Sequence, residues 1–97
     1  MKVLVPVEKK SIDTNVFSEF GRSPYYAVVE NGNVTFYDNP GASARGGAGV
    51  KAAQFAVDLG VKKVVVRKNL GPNATAALQA AGIEIEVKPI DKLEELL

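Results

Sequence analysis

Three short segments carry the residues with the clearest chemistry: Phe20-Gly21-Arg22-Ser23, Arg45-Gly46-Gly47-Ala48-Gly49, and Arg67-Lys68-Asn69-Leu70-Gly71-Pro72-Asn73. Together they hold every arginine of the chain. Glycine-bearing backbone that runs into a helix start leaves N–H groups unpaired and exposes the positive end of the helix macrodipole. An arginine beside it adds a planar fork of donors suited to an oxyanion. The chemistry this pattern favours is anion recognition, not bond cleavage.

Other chemistries fall away on counting. The 97 residues include no Cys and no His, which removes thiolate nucleophiles, imidazole bases, disulfides and Cys/His metal sites. Gly41 to Gly47 has glycine where a P-loop needs lysine, and Gly46-Gly47-Ala48-Gly49 does not fit the dinucleotide fingerprint. Glu8, Asp13 and Glu19 have no dependable carboxylate partner for two-metal hydrolysis, and a solvated loop accounts for them. Twelve Lys and Arg against eleven Asp and Glu leave a net charge of +1, so no global field draws the chain to nucleic acid or an anionic membrane. The pairs Lys62-Lys63 and Arg67-Lys68 are too short for a nucleic-acid patch. Val3 to Val7 is far short of the roughly 20 apolar residues of a membrane span or of a signal-peptide core, and the expected location is the cytoplasm.

The elements that must position these segments follow from periodicity. A chain of this length and average composition, 46% hydrophobic and 24% charged, is expected to form one domain over residues 1–97. Val3-Leu4-Val5 reads as a strand buried on both faces, with Pro6 at its end. Glu8 to Pro24 is a long polar connection of the kind that often carries function. Tyr25–Glu30 and Asn33–Asp38 flank Asn31-Gly32, a type I′ hairpin signal. Of Tyr25 and Tyr26, adjacent in a strand, one must face the core and the other the surface. Phe20 is expected to anchor the long loop in the core.

After the Asn39-Pro40-Gly41 break, Lys51, Gln54 and Asp58 mark the polar stripe of a helix over Ala48–Leu59, leaving Ala48, Ala52, Phe55, Ala56 and Leu59 on a wide buried face. Gly60 closes it, and Val61–Val66 is a second buried strand. Pro72 opens a helix with Ala74, Ala77, Leu78 and Ala81 on one side; Gly82 closes it, and Ile83–Val87 alternates as an edge strand does. Asp91 and Glu94 look like a capping box for a short terminal helix. The order predicts an α/β fold: a five-stranded mixed sheet flanked by helices on its faces, with the three arginine segments converging on one basic rim beyond the strand ends.

The ordered set Met1-Lys2-Val3-Leu4-Val5-Pro6-Val7, Phe20-Gly21-Arg22-Ser23-Pro24-Tyr25-Tyr26, Asn39-Pro40-Gly41, Gly46-Gly47-Ala48-Gly49, Gly71-Pro72-Asn73-Ala74 and Ala80-Ala81-Gly82-Ile83 resembles the nitrogenase iron-molybdenum cofactor biosynthesis family over nearly the whole chain. The resemblance implies a ribonuclease H-like fold, a name for connectivity and not for nuclease activity. It also implies a non-enzymatic carrier of an iron–sulfur or iron-molybdenum cluster. Many members have His before the Phe-Gly-Arg segment and in the loop before Gly-Gly-Ala-Gly; this chain has Glu19 at the first and Ala42-Ser43-Ala44-Arg45 at the second. What matches is suited to anions: Arg22 and Arg45 as charge partners, Gly46 and Gly47 at the first helix start, Gly71 and Asn73 at the second.

The leading expectation is a carrier whose crevice takes an anionic small molecule or a preassembled metallocluster through backbone N–H groups and arginine, without protein metal ligands. A second reading, from another class, is an interaction module whose exposed hairpin or strand edge, Asn33 to Asp38, docks a protein partner or a second copy through Val34, Phe36 and Tyr37. A hydrolase or nuclease using Glu19 comes last.

Overall fold

The computed structural model describes all of residues 1–97. Its elements are β1 (Val3–Val7), β2 (Tyr25–Glu30), β3 (Asn33–Asp38), α1 (Ala48–Asp58), β4 (Lys63–Val66), α2 (Pro72–Ala80), β5 (Glu84–Val87) and a terminal 3₁₀ turn, Leu93–Leu96. One five-stranded sheet runs β3-β2-β1-β4-β5. The hairpin side is antiparallel, and β1, β4 and β5 are parallel, so the sheet is mixed as the sequence predicts. Asn31 and Gly32 both have positive φ, 52° and 80°, which gives the hairpin its expected turn.

Both helix–strand units end on the same device. Gly60 and Gly82 take φ of 73° and 75°, a conformation that side chains with a Cβ resist. The next residue then closes the helix: Val61 N–H donates to Ala56 O at 3.2 Å, and Ile83 N–H to Leu78 O at 2.9 Å. This Schellman arrangement spends Val61 and Ile83 on capping and buries both in the core. The strands therefore start later than the apolar runs, at Lys63 and Glu84.

Helices on both faces are not observed. Ala52, Ala53 and Ala56 of α1 and Ala74 and Leu78 of α2 pack together on the face made by Leu4, Tyr26, Val28, Val64 and Val66. The opposite face, with Val5, Val7, Ala27 and Val65, is covered by Val16 of the long loop and Leu93 of the 3₁₀ turn. The two crossovers, β3 to β4 through α1 and β4 to β5 through α2, step the same way across the sheet, and the right-handed rule for parallel crossovers then places both helices on one face. Of the expected face of α1, Ala48, Ala52 and Ala56 are buried, with Ala53 beside them, while Phe55 and Leu59 are half-buried against the same core. Short side chains let α1 lie close to the sheet.

Pro6 also departs from expectation, lying inside β1 opposite Tyr26. Pairing of β1 with β4 stops at Leu4 and Val64, so the missing N–H removes no ladder bond, and Pro6 O accepts from Phe17 N–H at 2.9 Å.

The terminal turn is capped by Glu95, not by Asp91 with Glu94. Glu95 Oε2 accepts from the N–H groups of Asp91 at 3.0 Å and Lys92 at 2.9 Å, because only a residue on the third position of the turn reaches back that far. Those two bonds hold its carboxyl below the ordinary value of 4.5. A depressed carboxylate stabilises the fold above the unfolded value, and that contribution disappears as pH falls through the lower folded value. Urea midpoints measured between pH 7 and pH 3 are expected to fall more steeply below about pH 4.5 for the native chain than for Glu95→Gln. Glu86, lowered by its bond to Lys63, titrates alike in both proteins and cancels from the comparison.

Candidate functional site

Parallel neighbours β1 and β4 send the chain in opposite directions, β1 towards β2 and β4 towards β5. Ligand crevices of open α/β sheets form beyond the strand ends at such a switch point. A cleft of about 470 Å³ lies there, between Ser18–Arg22 of the long loop, Gly47–Val50 at the start of α1, and Lys68–Ala74 leading into α2. That volume falls within the roughly 300–1,000 Å³ of small-ligand sites.

Small residues bring its three walls together. A Cβ on Gly21 would stand 2.8 Å from Gly49 N and 2.9 Å from Gly49 Cα, so the long loop rests directly on the first turn of α1. A Cβ on Gly49 would lie 3.1 Å from Ala74 Cβ, so the two helix starts touch. Neither helix has a side-chain cap: Gly47, with φ 69°, precedes α1 and Gly71 precedes α2. Pro72 has no N–H to leave unpaired, but Ala48, Gly49 and Val50 of α1 and Asn73 and Ala74 of α2, whose N–H groups have no partner within their helices, all line the cleft at the positive ends of the two macrodipoles.

The floor is held from behind. Phe20 is buried in the core, and its carbonyl accepts from the Tyr26 hydroxyl at 2.5 Å; burial pushes the Tyr26 phenol well above its ordinary range. Tyr25 lies on the opposite face, as adjacent strand residues must. Asn39 is buried and donates to Gly21 O at 3.0 Å and Ser23 O at 2.8 Å, while its carbonyl accepts from Gly41 N–H at 2.9 Å. The sequence marks Asn39 only as part of a turn signal, and its role as the pin of the cleft loop is missed there.

Of the residues expected at the site, Arg22, Gly47, Gly71 and Asn73 line the cleft; Arg45 and Gly46 do not. Arg22 is exposed at the rim and donates through one guanidinium nitrogen to Ala42 O, at 3.4 Å, and to Ala44 O. It thereby clips the loop that carries Arg45. The three arginines do not share one rim. Arg67 reaches Val16 O at 3.4 Å and Asp91 Oδ1 at 3.1 Å, because strand alternation turns it to the face opposite the helices. Lys68, part of the third segment but not one of the charge partners expected, lines the cleft, as does Glu19.

These donors define what the cleft can hold. Glu19 is its single acidic side chain, and nowhere in the chain do three or more His, Cys, Asp or Glu groups converge on a metal position. The residues present do not fit a cluster that needs thiolate or imidazole ligands from the protein. Backbone N–H groups, Arg22 and Lys68 set donors and cations against that one carboxylate, a lining suited to an anion. No helix is long and apolar enough to cross a membrane.

Comparison with known proteins agrees in family and fold. The chain is similar to the apo form of the orange protein from Desulfovibrio gigas, at 28% identity and a TM-score of 0.86, over 98% of this chain and 82% of that one. It is also similar to a Thermotoga protein provisionally assigned as NifB, at 30% identity and a TM-score of 0.81, over 97% of this chain and 81% of the other. A third structure, PH0822, shares 26% identity at a TM-score of 0.81, covering 98% of this chain and 83% of its own. No curated protein matches in sequence. The family model described as dinitrogenase iron-molybdenum cofactor matches residues 1–97, and the chain belongs to that family.

Proposed function

We propose that this chain is a non-enzymatic carrier that holds a preassembled, negatively charged metallocluster, as cargo, in the cleft between the two helix starts. The observation that carries the reading is the meeting of two uncapped helix N-termini beside Arg22 and Lys68, in a member of a family described by an iron-molybdenum cofactor. In this reading Arg22 is the charge partner at the rim, Gly47 with the backbone after it forms one anion nest, and Gly71 with Asn73 forms the facing one. Arg45 and Gly46 act from outside the cleft, on the loop that Arg22 clips. The ribonuclease H-like description belongs to the same reading and is supported by the strand order. A carrier is favoured over a hydrolase because Glu19 is the single acidic side chain lining the cleft, with no second carboxylate there to share a metal.

Anaerobic purification from the native host, followed by metal analysis and a visible spectrum, tests the assignment. Molybdenum or iron in stoichiometric amount with a charge-transfer band is the expected result. A colourless, metal-free protein from cells that contain the assembled cofactor contradicts it.

A further inference from the structure

The two edges of the sheet are built differently. At one edge β5 is four residues long, carries Glu84 and Glu86 in ion pairs with Lys63, and runs into Lys88-Pro89. Short length, charge and proline are the devices by which natural sheets keep an edge from pairing. At the other edge β3 is six residues long, Asn33-Val34-Thr35-Phe36-Tyr37-Asp38, with no lysine and no proline. No strand lies beyond it.

Hairpin register decides which backbone groups of β3 are free. Glu30 and Asn33 flank the two-residue turn and pair with each other, followed by Val28 with Thr35 and Tyr26 with Tyr37. In a type I′ hairpin the closing pair is hydrogen-bonded, and bonded pairs alternate along the ladder. The N–H and C=O groups of Asn33, Thr35 and Tyr37 therefore point to β2, and those of Val34 and Phe36 point outward. No turn, loop or side-chain hydrogen bond of the chain reaches Val34 or Phe36.

The side chains divide in the same way. Val34 and Phe36 lie half-buried on the face opposite the helices, next to Val3 and Val29. Tyr37 is on the helix face, its ring edge-on to Phe55 at 5.8 Å, so it is not a third contact on the Val34 and Phe36 side. Thr35 is exposed. The charge at the strand end is already answered, since Asp38 pairs with Lys10 at 2.9 Å.

We propose that β3 pairs antiparallel with β3 of a second copy of this chain, about a two-fold axis through Thr35. In that register Val34 of one copy faces Phe36 of the other, Thr35 faces Thr35, and Asn33 faces Tyr37. The outward groups of Val34 and Phe36 then exchange hydrogen bonds with their counterparts. Aromatic with β-branched and threonine with threonine are favourable cross-strand pairs, and no like charges oppose each other between residues 33 and 37. Self-pairing is favoured over an unlike partner because the strand complements itself residue by residue. The half-covered apolar strip of Val3, Val29, Val34 and Phe36 continues across the axis into the second copy. A patch of this size gives weak, concentration-dependent association, below the area of a permanent dimer.

Sedimentation velocity of the whole chain from about 10 µM to about 1 mM, with amide exchange at both ends of the range, tests the proposal. Association at high concentration is expected, with at least tenfold slower exchange of the Val34 and Phe36 amides. The Thr35 and Tyr37 amides, bonded to β2 throughout, are expected to keep the same protection. Thr35→Lys, at an exposed position, places two ammonium groups at the axis and is expected to abolish association; mixing it with Thr35→Glu is expected to restore it. A monomer at every concentration overturns the proposal. So does an association that leaves the Val34 and Phe36 amides exchanging freely, whether through another face or with an unlike partner. Cargo in the cleft enters none of these measurements, so this proposal and the carrier reading fail independently.

Discussion

Gly21→Ala is expected to lower the unfolding free energy by about 2–3 kcal/mol, the cost of forcing an atom into a closed contact. The new Cβ would meet Gly49 N at 2.8 Å, Gly49 Cα at 2.9 Å and Ala48 C at 3.0 Å. All three are backbone atoms of the first turn of α1, so no side chain can rotate away. Either α1 shifts or the Phe20-Gly21 segment lifts, and the segment is held by the Asn39 and Tyr26 bonds to its carbonyls. Whichever moves, the cleft changes shape. Urea denaturation reads the stability loss. Gly46→Ala is the control, since a Cβ there has nothing within 4 Å; a change within about 0.5 kcal/mol is expected for it. Equal stability of the two variants would contradict the packing described for the cleft wall.

Arg22→Ala is expected to weaken the binding of a molybdate or thiomolybdate anion by about 10- to 100-fold, the loss that follows removal of a charge-assisted donor worth roughly 1.5–3 kcal/mol. The same substitution should alter unfolding midpoints little, because the side chain is exposed and its bonds to Ala42 O and Ala44 O are at the surface. Arg22→Lys should recover only part of the affinity, for an ammonium group cannot present two parallel donors. Arg67→Ala separates charge from position. Its guanidinium is engaged with Asp91 and Val16, and its removal should leave anion affinity within about twofold, as expected of a screened, distant charge. Isothermal titration calorimetry of the four proteins at one ionic strength gives the comparison.

The periodic part of the fold is legible in the residues. Asn31-Gly32 dictates its turn, Gly60 and Gly82 end their helices, and the alternation of Glu84 to Val87 marks a sheet edge. Each of these signals is local, set by one residue's backbone preference or by a two-residue period. What depends on contacts distant in sequence is not legible. Val61 and Ile83 look like strand residues because their apolarity serves a helix cap equally well. Glu95 replaces the expected cap because reach, not residue type, chooses among neighbouring carboxylates.

The candidate site divides along the same line. Helix starts with glycine before them can be read from Gly47 and Gly71-Pro72, and both line the cleft. The arginines cannot be placed that way. Arg22, Arg45 and Arg67 have like positions next to element ends, yet one faces the cleft rim, one lies outside it and one crosses to the opposite face. Side-chain direction at a strand end depends on register, which the sequence leaves open by one residue. Gly21, Gly49 and Ala74 are a further case, since their smallness has meaning only once three segments meet. In the sequence, Gly49 stands out as a glycine within the first turn of a helix, a residue that weakens helices unless close packing requires it.

Because the chain has no Cys and no His, the proposed carrier function makes a sharp claim: the cluster is held from outside, by N–H groups and cations, and keeps its own ligands. Titrating the whole isotope-labelled chain with a thiomolybdate anion under anaerobic conditions, and following backbone amide resonances, tests that claim most directly. Saturable shifts confined to Gly47–Val50, Asn73 and Ala74, with the Arg22 side chain, are the predicted result. No saturable shift, or shifts centred on residues away from the two helix starts, would contradict it.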